Sequence, residues 1–274
     1  MICMVVWGLL VSQATANEAP ERVVSMNLCT DQLAMLLAGP GQLASVTYIA
    51  TDPRASAMAE EAKNYHINRG LAEEIFLLEP DLVIAGAFST QATVAMLKRL
   101  GIPVVVFVPA YSMPDVRDRI AQMGEVLHRT QAARDMIDDF DTRLRALSEE
   151  VTHSPRAVLY YANGYTSGDK TLAGEILTAA GFENVAIEAG YGSGGKLPLE
   201  VLALTDPDAV ITGRPYPGAS RSEAILDHPV VKDLREGRES GTLTDHDWVC
   251  GTPYVLRAIE ALSTVRRDIT GDGE

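Results

Sequence analysis

The hydrophobic residues of this chain fall into short apolar runs that alternate with stretches of helical periodicity. The runs are rich in Val, Ile and Leu, and this alternation predicts an α/β protein with parallel sheets. The run 104–108 is β-branched and is typical of a strand buried on both faces. The predicted strands are residues 23–26, 43–47, 82–85, 104–108, 157–161, 184–187 and 209–212, and the predicted helices are residues 30–38, 71–78, 91–100, 172–180, 198–204 and 253–267.

The longest helical region lies in the middle of the chain. Ser112 can cap a helix whose first turn contains Pro114 and Asp115, and an apolar stripe at helical spacing follows. Residues 128–130 interrupt the stripe, so we predict two helices, with Thr130 capping the second. The second helix is predicted to be about twenty residues long, which corresponds to about 30 Å. That length is sufficient to connect two lobes.

The two halves of the chain share one segment. Residues 73–86 and 200–213 align without gaps at an offset of 200 − 73 = 127, and seven of the fourteen positions are identical. Each copy predicts a helix that ends at a Pro-Asp turn and continues into an apolar strand. We infer two lobes built on one plan. Chance similarity between two generic helix–turn–strand units is the alternative.

These motifs resemble a known protein family. The likeness extends over residues 22–268 and is to the periplasmic substrate-binding proteins for ferric siderophores, vitamin B12 and haem. It implies two Rossmann-like lobes with parallel sheets, a single long helix that joins them, and a ligand cleft between the lobes. The motifs are Arg22-Val23-Val24-Ser25, Glu73-x6-Pro80-Asp81-Leu82-Val83, Gly101-Ile102-Pro103-Val104 and Glu200-x6-Pro207-Asp208. The expected segments are a signal peptide at 1–16, an N-terminal lobe at 22–128, a bridging helix at 129–152 and a C-terminal lobe at 153–270.

Glu73 and Glu200 occupy the same position in the two copies of the repeat. A carboxylate in the first turn of a helix is stabilised by the helix dipole by about 0.3–1 kcal/mol, which is one explanation for both residues. The resemblance gives the other, since family glutamates, one in each lobe, dock onto arginines of an ABC importer permease. Both explanations remain open from the sequence.

The first sixteen residues carry no charge and contain an apolar run at residues 4–11. This run is too short to cross a bilayer, and Ala14-Thr15-Ala16 provides the small residues that a signal peptidase accepts. We therefore expect export to the periplasm. No Lys or Arg precedes the run, which leaves the start codon open, and a buried N-terminal strand is the alternative interpretation.

Composition narrows the functions further. The net charge of −14 argues against nucleic-acid binding, which requires a basic surface. Cleavage after Ala16 would remove Cys3 and leave Cys29 and Cys250 in an oxidising compartment, where an even pair predicts a disulfide. In the chain-entropy model, a loop of this size stabilises the fold by at most about 5 kcal/mol. Buried thiols too far apart to react, or a thiolate pair that binds a metal, are the alternatives.

The sequence contains no complete motif for catalysis. Gly190–Lys196 superficially fits the start of a phosphate-binding loop, but Leu197 stands where Ser or Thr should hold magnesium, and Pro198 follows. The five histidines lack the spacing of a zinc site. We therefore expect neither a resident cofactor nor a metal site, and no catalytic residue is nominated.

Tyrosines are concentrated in loops that we expect to line the cleft, because α/β sheets bind ligands at the carboxyl ends of their strands. Rigid aromatic faces with a phenolic hydroxyl suit a large, flat or chelated ligand. The predicted ligand-binding residues are Asn27, Tyr48, His66, Tyr111, Tyr161, Tyr165, Arg214, Tyr216 and Trp248. His66 lies in the predicted loop where the resemblance places a tyrosine ligand of haem-binding members, and a polar loop residue near the cleft is the alternative.

The sequence thus predicts a monomeric binding protein that captures a metal chelate and delivers it to a permease. A ferric siderophore is the first expectation for the cargo, followed by a corrinoid or haem. The alternative from a different class is an exported enzyme that modifies metal chelates, or a chelatase. Such an enzyme needs a nucleophile or an acid–base pair in the cleft.

Overall fold

The structure, a computed structural model, consists of two lobes that are each built around a parallel sheet. It describes residues 18–149, 151, 153–214, 218, 220–236 and 241–271. The signal peptide predicted for residues 1–16 lies outside the described residues. The predicted α/β fold with two lobes and parallel sheets is confirmed.

The N-terminal lobe contains a five-stranded sheet flanked by helices. Its strands are Val23–Ser25 (β1), Leu43–Thr47 (β2), His66–Asn68 (β3), Leu82–Gly86 (β4) and Val104–Phe107 (β5). Its helices are Leu28–Leu37 (α1), Ala59–Ala62 (α2), Ala72–Leu77 (α3), Gln91–Arg99 (α4) and Met113–Val126 (α5). The strand order is β3-β2-β1-β4-β5, and all neighbouring pairs are parallel.

A single helix, Thr130–Glu149 (α6), follows the first lobe and has the predicted length of twenty residues. The backbone at His128 is left-handed, with a φ of 55°, and this separates helix α5 from helix α6. The helix packs against α5, and Ala133 and Phe140 on its buried side belong to a continuous apolar core that includes residues of both sheets. Helix α6 is therefore part of the core and not a flexible linker.

The C-terminal lobe repeats the plan with a four-stranded sheet. Its strands are Arg156–Leu159 (β6), Tyr165–Thr166 (β7), Glu183–Asn184 (β8), Gly195–Lys196 (β9), Ala209–Gly213 (β10) and Thr242–Leu243 (β11). Its helices are Leu172–Ala179 (α7), Val185–Glu188 (α8), Leu199–Thr205 (α9), Pro229–Arg235 (α10), Asp245–Trp248 (α11) and Val255–Thr270 (α12). The order β11-β10-β6-β8 is parallel throughout, β7 and β9 form a separate antiparallel pair, and α7 and α12 pack against α6.

The two copies of the sequence repeat also form equivalent hydrogen bonds. In the N-terminal lobe, Asp81 accepts hydrogen bonds from the backbone N–H of Glu21 and of Arg22, and the Arg22 side chain donates to the carbonyl of Leu78. In the C-terminal lobe, 127 residues later, Asp208 accepts from the backbone N–H of Arg156.

The arginine of the second lobe also matches the first. Arg156 donates to the carbonyl of Thr205 at 2.7 Å, and Thr205 is the repeat counterpart of Leu78. Glu79 and Asp206, also 127 residues apart, both adopt left-handed backbone conformations, with φ of 49° and 40°. An Arg–Asp clasp thus holds the turn before β4 and before β10, which supports two lobes built on one plan.

Two details of the predicted elements are wrong. The strand predicted at residues 184–187 is confined to Asn184, the last residue of β8, because the Asn184 side chain accepts a hydrogen bond from the backbone N–H of Ala186 and thereby begins the helix α8. Strand β5 is not buried on both faces, because it forms the edge of its sheet and leaves Val106 39% exposed. β-branched composition alone does not separate an edge strand from a central one.

A candidate ligand cleft between the lobes

The carboxyl ends of β1, β4 and β5 open onto a cavity of about 220 Å³ at the junction of the lobes. Parallel sheets commonly bind ligands at this edge, because the loops that follow neighbouring strands converge there. Most of the lining is apolar, and Val249 and Gly251 contribute to it from the C-terminal lobe. The lining residues are Asn27, Cys29, Thr30, Leu33, Gly86, Ala87, Phe88, Phe107, Val108, Pro109, Ala110, Arg119, Val249 and Gly251.

Asn27 lies in this cavity but also has a structural role. It is the N-cap of α1, and its side-chain oxygen accepts a hydrogen bond from the backbone N–H of Cys29 at 3.1 Å. Its side chain packs directly on Gly86, where an added Cβ would lie 2.6 Å from the Asn27 Cγ. Asn27 is therefore held in a fixed position at the cavity, where its side-chain amide can form further hydrogen bonds.

Phe88 is an aromatic wall residue that the sequence analysis missed. It follows β4 at the carboxyl edge, lines the cavity and is 82% exposed. Tyr111, which was predicted, is also exposed and follows Ala110 in the loop after β5. The position of Phe88 just after a predicted strand was the available sequence signal.

Arg119 is the second residue that was missed. It projects from α5 into the cavity lining, and its Nε is buried without a hydrogen-bond partner among the described residues. Its Nη1 lies 3.5 Å from the carbonyl oxygen of Val108, which is at the limit for a hydrogen bond. No sequence signal distinguishes Arg119 from the other polar residues on this amphipathic helix, because only the packing of the lobes decides which of them face solvent.

Tyr161 and Trp248, both predicted, form a stacked pair in the C-terminal lobe. Their ring centroids are 5.8 Å apart, with an angle of 9° between the ring planes. The Tyr161 hydroxyl and the Trp248 Nε1 are buried without partners among the described residues. Burial, reinforced by the negative charge of Asp245, raises the pKa of Tyr161. The phenol is therefore protonated at neutral pH, and both rings keep a hydrogen-bond donor.

Cys29 and Cys250 are bonded in the structure, with their Cα atoms 5.0 Å apart. Cys29 lies in the first turn of α1, and Cys250 follows α11 in the other lobe. The bond therefore joins the lobes at the cavity, which Cys29 lines.

Two further contacts fix the lobes close together. The Glu175 carboxylate on α7 accepts a hydrogen bond of 2.6 Å from the backbone N–H of Met113, at the start of α5. Near the disulfide, a Cβ added to Gly251 would lie 2.2 Å from the Cβ of Ala110, so the backbones of the two lobes approach at a distance that only glycine permits.

Among the described residues, Asn27 alone of the predicted binding residues lines this cavity, and Tyr111, Tyr161 and Trp248 are not part of the lining. Tyr48 follows β2 and is exposed, Tyr165 is an exposed residue of β7, and Arg214 is exposed just after β10. The prediction that His66 lies in a loop is wrong, because it begins the edge strand β3 in register with Ser45, with its side chain exposed. Tyr216 is outside the described residues.

Glu73 and Glu200 are both exposed and lie in the first turns of α3 and α9. Helix α3 begins shortly after the carboxyl end of β3, which places Glu73 at the same edge of the sheet as the cavity. One turn after each glutamate stands a leucine, Leu77 and Leu204, and these are 79% and 84% exposed. Each lobe therefore presents a carboxylate and an apolar side chain at equivalent positions.

The described residues contain no group of three or more His, Cys, Asp or Glu side chains arranged to hold a metal ion. No helix in the described part of the chain has the length and apolar character needed to cross a bilayer.

Comparison with known proteins assigns the family. A cobalamin-binding protein of Halobacterium salinarum is 30% identical over 204 residues, which are 73% of this chain and 55% of that protein. The chain thus spans about half the length of this relative. The family model described as periplasmic binding protein matches residues 23–239.

Two solved structures share the fold. A periplasmic heme-binding protein from Roseiflexus has a TM-score of 0.74 at 23% identity, covering 91% of this chain and 98% of that one. An ABC-type Fe3+-hydroxamate transport system protein from Saccharomonospora viridis has a TM-score of 0.66 at 19% identity, covering 90% and 93%. On the family match and this fold, the chain belongs to the periplasmic binding protein family.

Proposed function

We propose that the chain is the solute-binding component of an ABC importer, and that it captures a metal chelate in the periplasm and delivers it to the permease. The observation that carries this proposal is the cavity at the strand ends, whose mainly apolar walls come from both lobes. A ligand held there contacts both lobes at once, as capture between lobes requires. The cavity is smaller than the roughly 300–1,000 Å³ of typical ligand sites, so a bulky chelate would extend outward past Phe88 and Tyr111.

A ferric siderophore is our first candidate for the cargo, and a corrinoid is the second. The exposed aromatic ring of Phe88 in the cavity wall suits a flat or chelated ligand. The corrinoid is retained because the relative with 30% identity is named a cobalamin-binding protein. Haem remains the third candidate, since a protein of the same fold is named for it.

Tryptophan fluorescence tests the proposal directly. The chain has two tryptophans, Trp7 within the predicted signal peptide and Trp248 in the stacked pair, so the mature protein should report from Trp248 alone. We expect saturable, one-to-one quenching by a ferric siderophore, cobalamin or haem, and no response to amino acids or sugars. Calorimetric titration of the variant Trp248→Phe then measures whether the ligand still binds when the fluorescent residue is absent.

Binding of a sugar or an amino acid with no response to any chelate would contradict the proposed function. Mass spectrometry of each chelate after incubation distinguishes the enzyme alternative, because a binding protein returns the chelate unchanged. Mass spectrometry of molecules that co-purify with the protein from its native host would identify the cargo.

A further inference from the structure

Arg119 differs from the neighbouring arginine on the same helix. The guanidinium of Arg117, two residues earlier, forms an ion pair with Asp141 and lies 5.7 Å from the centre of the Phe140 ring. Arg119 has no such carboxylate among the described residues, although the chain carries a net charge of −14. Within the described part of the chain, its one hydrogen bond is the long contact with the Val108 carbonyl.

An arginine in this setting is energetically costly. The guanidinium is charged at all physiological pH values, and burial of an N–H donor without a partner loses its hydration without replacement. The surrounding cavity wall is mainly apolar, with Phe107, Val108 and Pro109 beside it. Electrostatic interactions are stronger in such surroundings than in water, so a ligand anion that reached Arg119 would be bound firmly and with directional preference.

We propose that Arg119 binds an anionic group of the cargo, such as a carboxylate or catecholate oxygen, so that the cleft selects negatively charged metal chelates over neutral ones of similar size. This inference rests on the proposed function and narrows its cargo class. Asn27 and Thr30 in the lining are uncharged, and no carboxylate is among the described residues that line the cavity, so the described lining contains no group that repels an anion. A ferric siderophore with anionic donors fits these walls better than a ligand whose periphery is formed by neutral carboxamides.

Two probes and two variants test the proposal. The probes are an anionic ferric tricatecholate and a neutral ferric trihydroxamate, titrated by calorimetry into the intact protein. Arg119→Gln should weaken binding of the tricatecholate by about tenfold or more, as expected for loss of a charge-assisted hydrogen bond, and change binding of the trihydroxamate by less than about twofold. Arg119→Lys should recover part of the loss, because it keeps the charge but not the planar donors.

Arg117→Gln is the matched control, because it removes the same charge from the same helix outside the cavity lining. It should leave both affinities within about twofold, and thermal melting verifies that each variant is folded. Equal weakening of both chelates by Arg119→Gln, no weakening of either, or tighter wild-type binding of the neutral probe or of cyanocobalamin would overturn the selection of anions. A wild-type protein that binds no chelate would instead refute the proposed function, and this proposal with it.

Discussion

The carboxyl group of Asp31, in the first turn of α1, is fully buried. Its Oδ2 accepts hydrogen bonds from the backbone N–H and the hydroxyl of Thr47, while Oδ1 has no partner among the described residues. Burial raises its pKa to about 7, and the hydrogen bonds from Thr47 only partly oppose that rise. The protonated carboxyl is therefore the form that the folded protein favours.

This environment predicts that Asp31 makes the folded protein less stable as pH rises. The pKa of the folded state lies above that of the unfolded chain, so between about pH 4 and pH 7 the folded state binds the extra proton and stability declines with pH. Asp31→Asn, which resembles the protonated form, should be close to neutral at pH 4 and stabilising at pH 8. The difference is on the order of 4 kcal/mol as an upper value, because one pKa unit corresponds to about 1.4 kcal/mol.

Urea denaturation at several pH values measures this effect. The wild type should lose stability relative to Asp31→Asn across that window, and Asp118→Asn, at an exposed position of α5, is the control for removal of one negative charge. Parallel pH profiles for wild type and Asp31→Asn would show that the buried carboxyl is solvated or paired in solution.

For single residues, the sequence predicts the type of side chain in the cleft better than it predicts where each side chain lies. Residues that follow strands, such as Asn27, Tyr111 and Tyr161, could be assigned to the cleft side because strand ends determine that edge. His66 could not be placed, because the three-residue strand it begins has no sequence pattern of its own. Arg119 could not be found, because its importance depends on which face of α5 meets the other lobe.

Among the elements, the twin helices α3 and α9 carry the docking prediction. Their glutamates and exposed leucines lie 127 residues apart, at equivalent positions of the two lobes. Replacement of both Glu73 and Glu200 by Ala or Lys should abolish importer-dependent uptake, because arginines of the permease would lose both carboxylate partners. Ligand affinity should stay within a few-fold, since neither residue lines the cavity.

The control is the pair Glu79→Asn and Asp206→Asn. It removes two negative charges at equivalent repeat positions, at the opposite ends of the same helices, and Asn tolerates the left-handed backbone found there. Uptake in reconstituted vesicles should be lost in the first double variant and kept in the control. Full uptake by the first double variant would leave the helix-dipole role as the explanation for the glutamates.

The two Arg–Asp clasps allow an internal comparison of stability. Among the described residues, Asp81 accepts from two backbone N–H groups, at 2.6 and 3.0 Å, whereas Asp208 accepts from one, at 2.8 Å. Asp81→Ala should therefore lower the free energy of unfolding more than Asp208→Ala, by about 1 kcal/mol, the usual contribution of one hydrogen bond. Equal midpoints of urea denaturation for the two variants would contradict this ranking.

The repeat was the most informative sequence feature for these elements. A shared Pro-Asp turn specifies both the end of a helix and the start of a strand, so identical residues predicted identical geometry. The short strands β7, β9 and β11 escaped prediction, because two residues cannot display a period.

In the whole molecule, the disulfide between Cys29 and Cys250 closes a loop with a sequence separation of 221. We expect no free thiols in the denatured, unreduced mature protein, and replacement of both cysteines by Ser should lower the free energy of unfolding by at most about 5 kcal/mol. Thiol titration and urea denaturation measure these quantities. Two free thiols per chain would rule the bond out in solution.

The lobe arrangement was predictable only in outline. The length of α6 was evident from its apolar stripe, but the Glu175–Met113 hydrogen bond and the close approach of Gly251 to Ala110 depend on residues distant in sequence. Nothing in a local pattern predicts such pairs, because each partner alone is an ordinary helix or loop residue.

The disulfide also has a consequence for the competition of empty and loaded molecules at a permease. Lobes bonded beside the cleft and joined through a common core have little freedom to close, so loaded and empty molecules should have nearly the same outline. If the chain serves an importer, its two carboxylates are presented equally in both states. Empty molecules should then compete with loaded ones for the same permease, and an excess of protein over cargo should slow uptake.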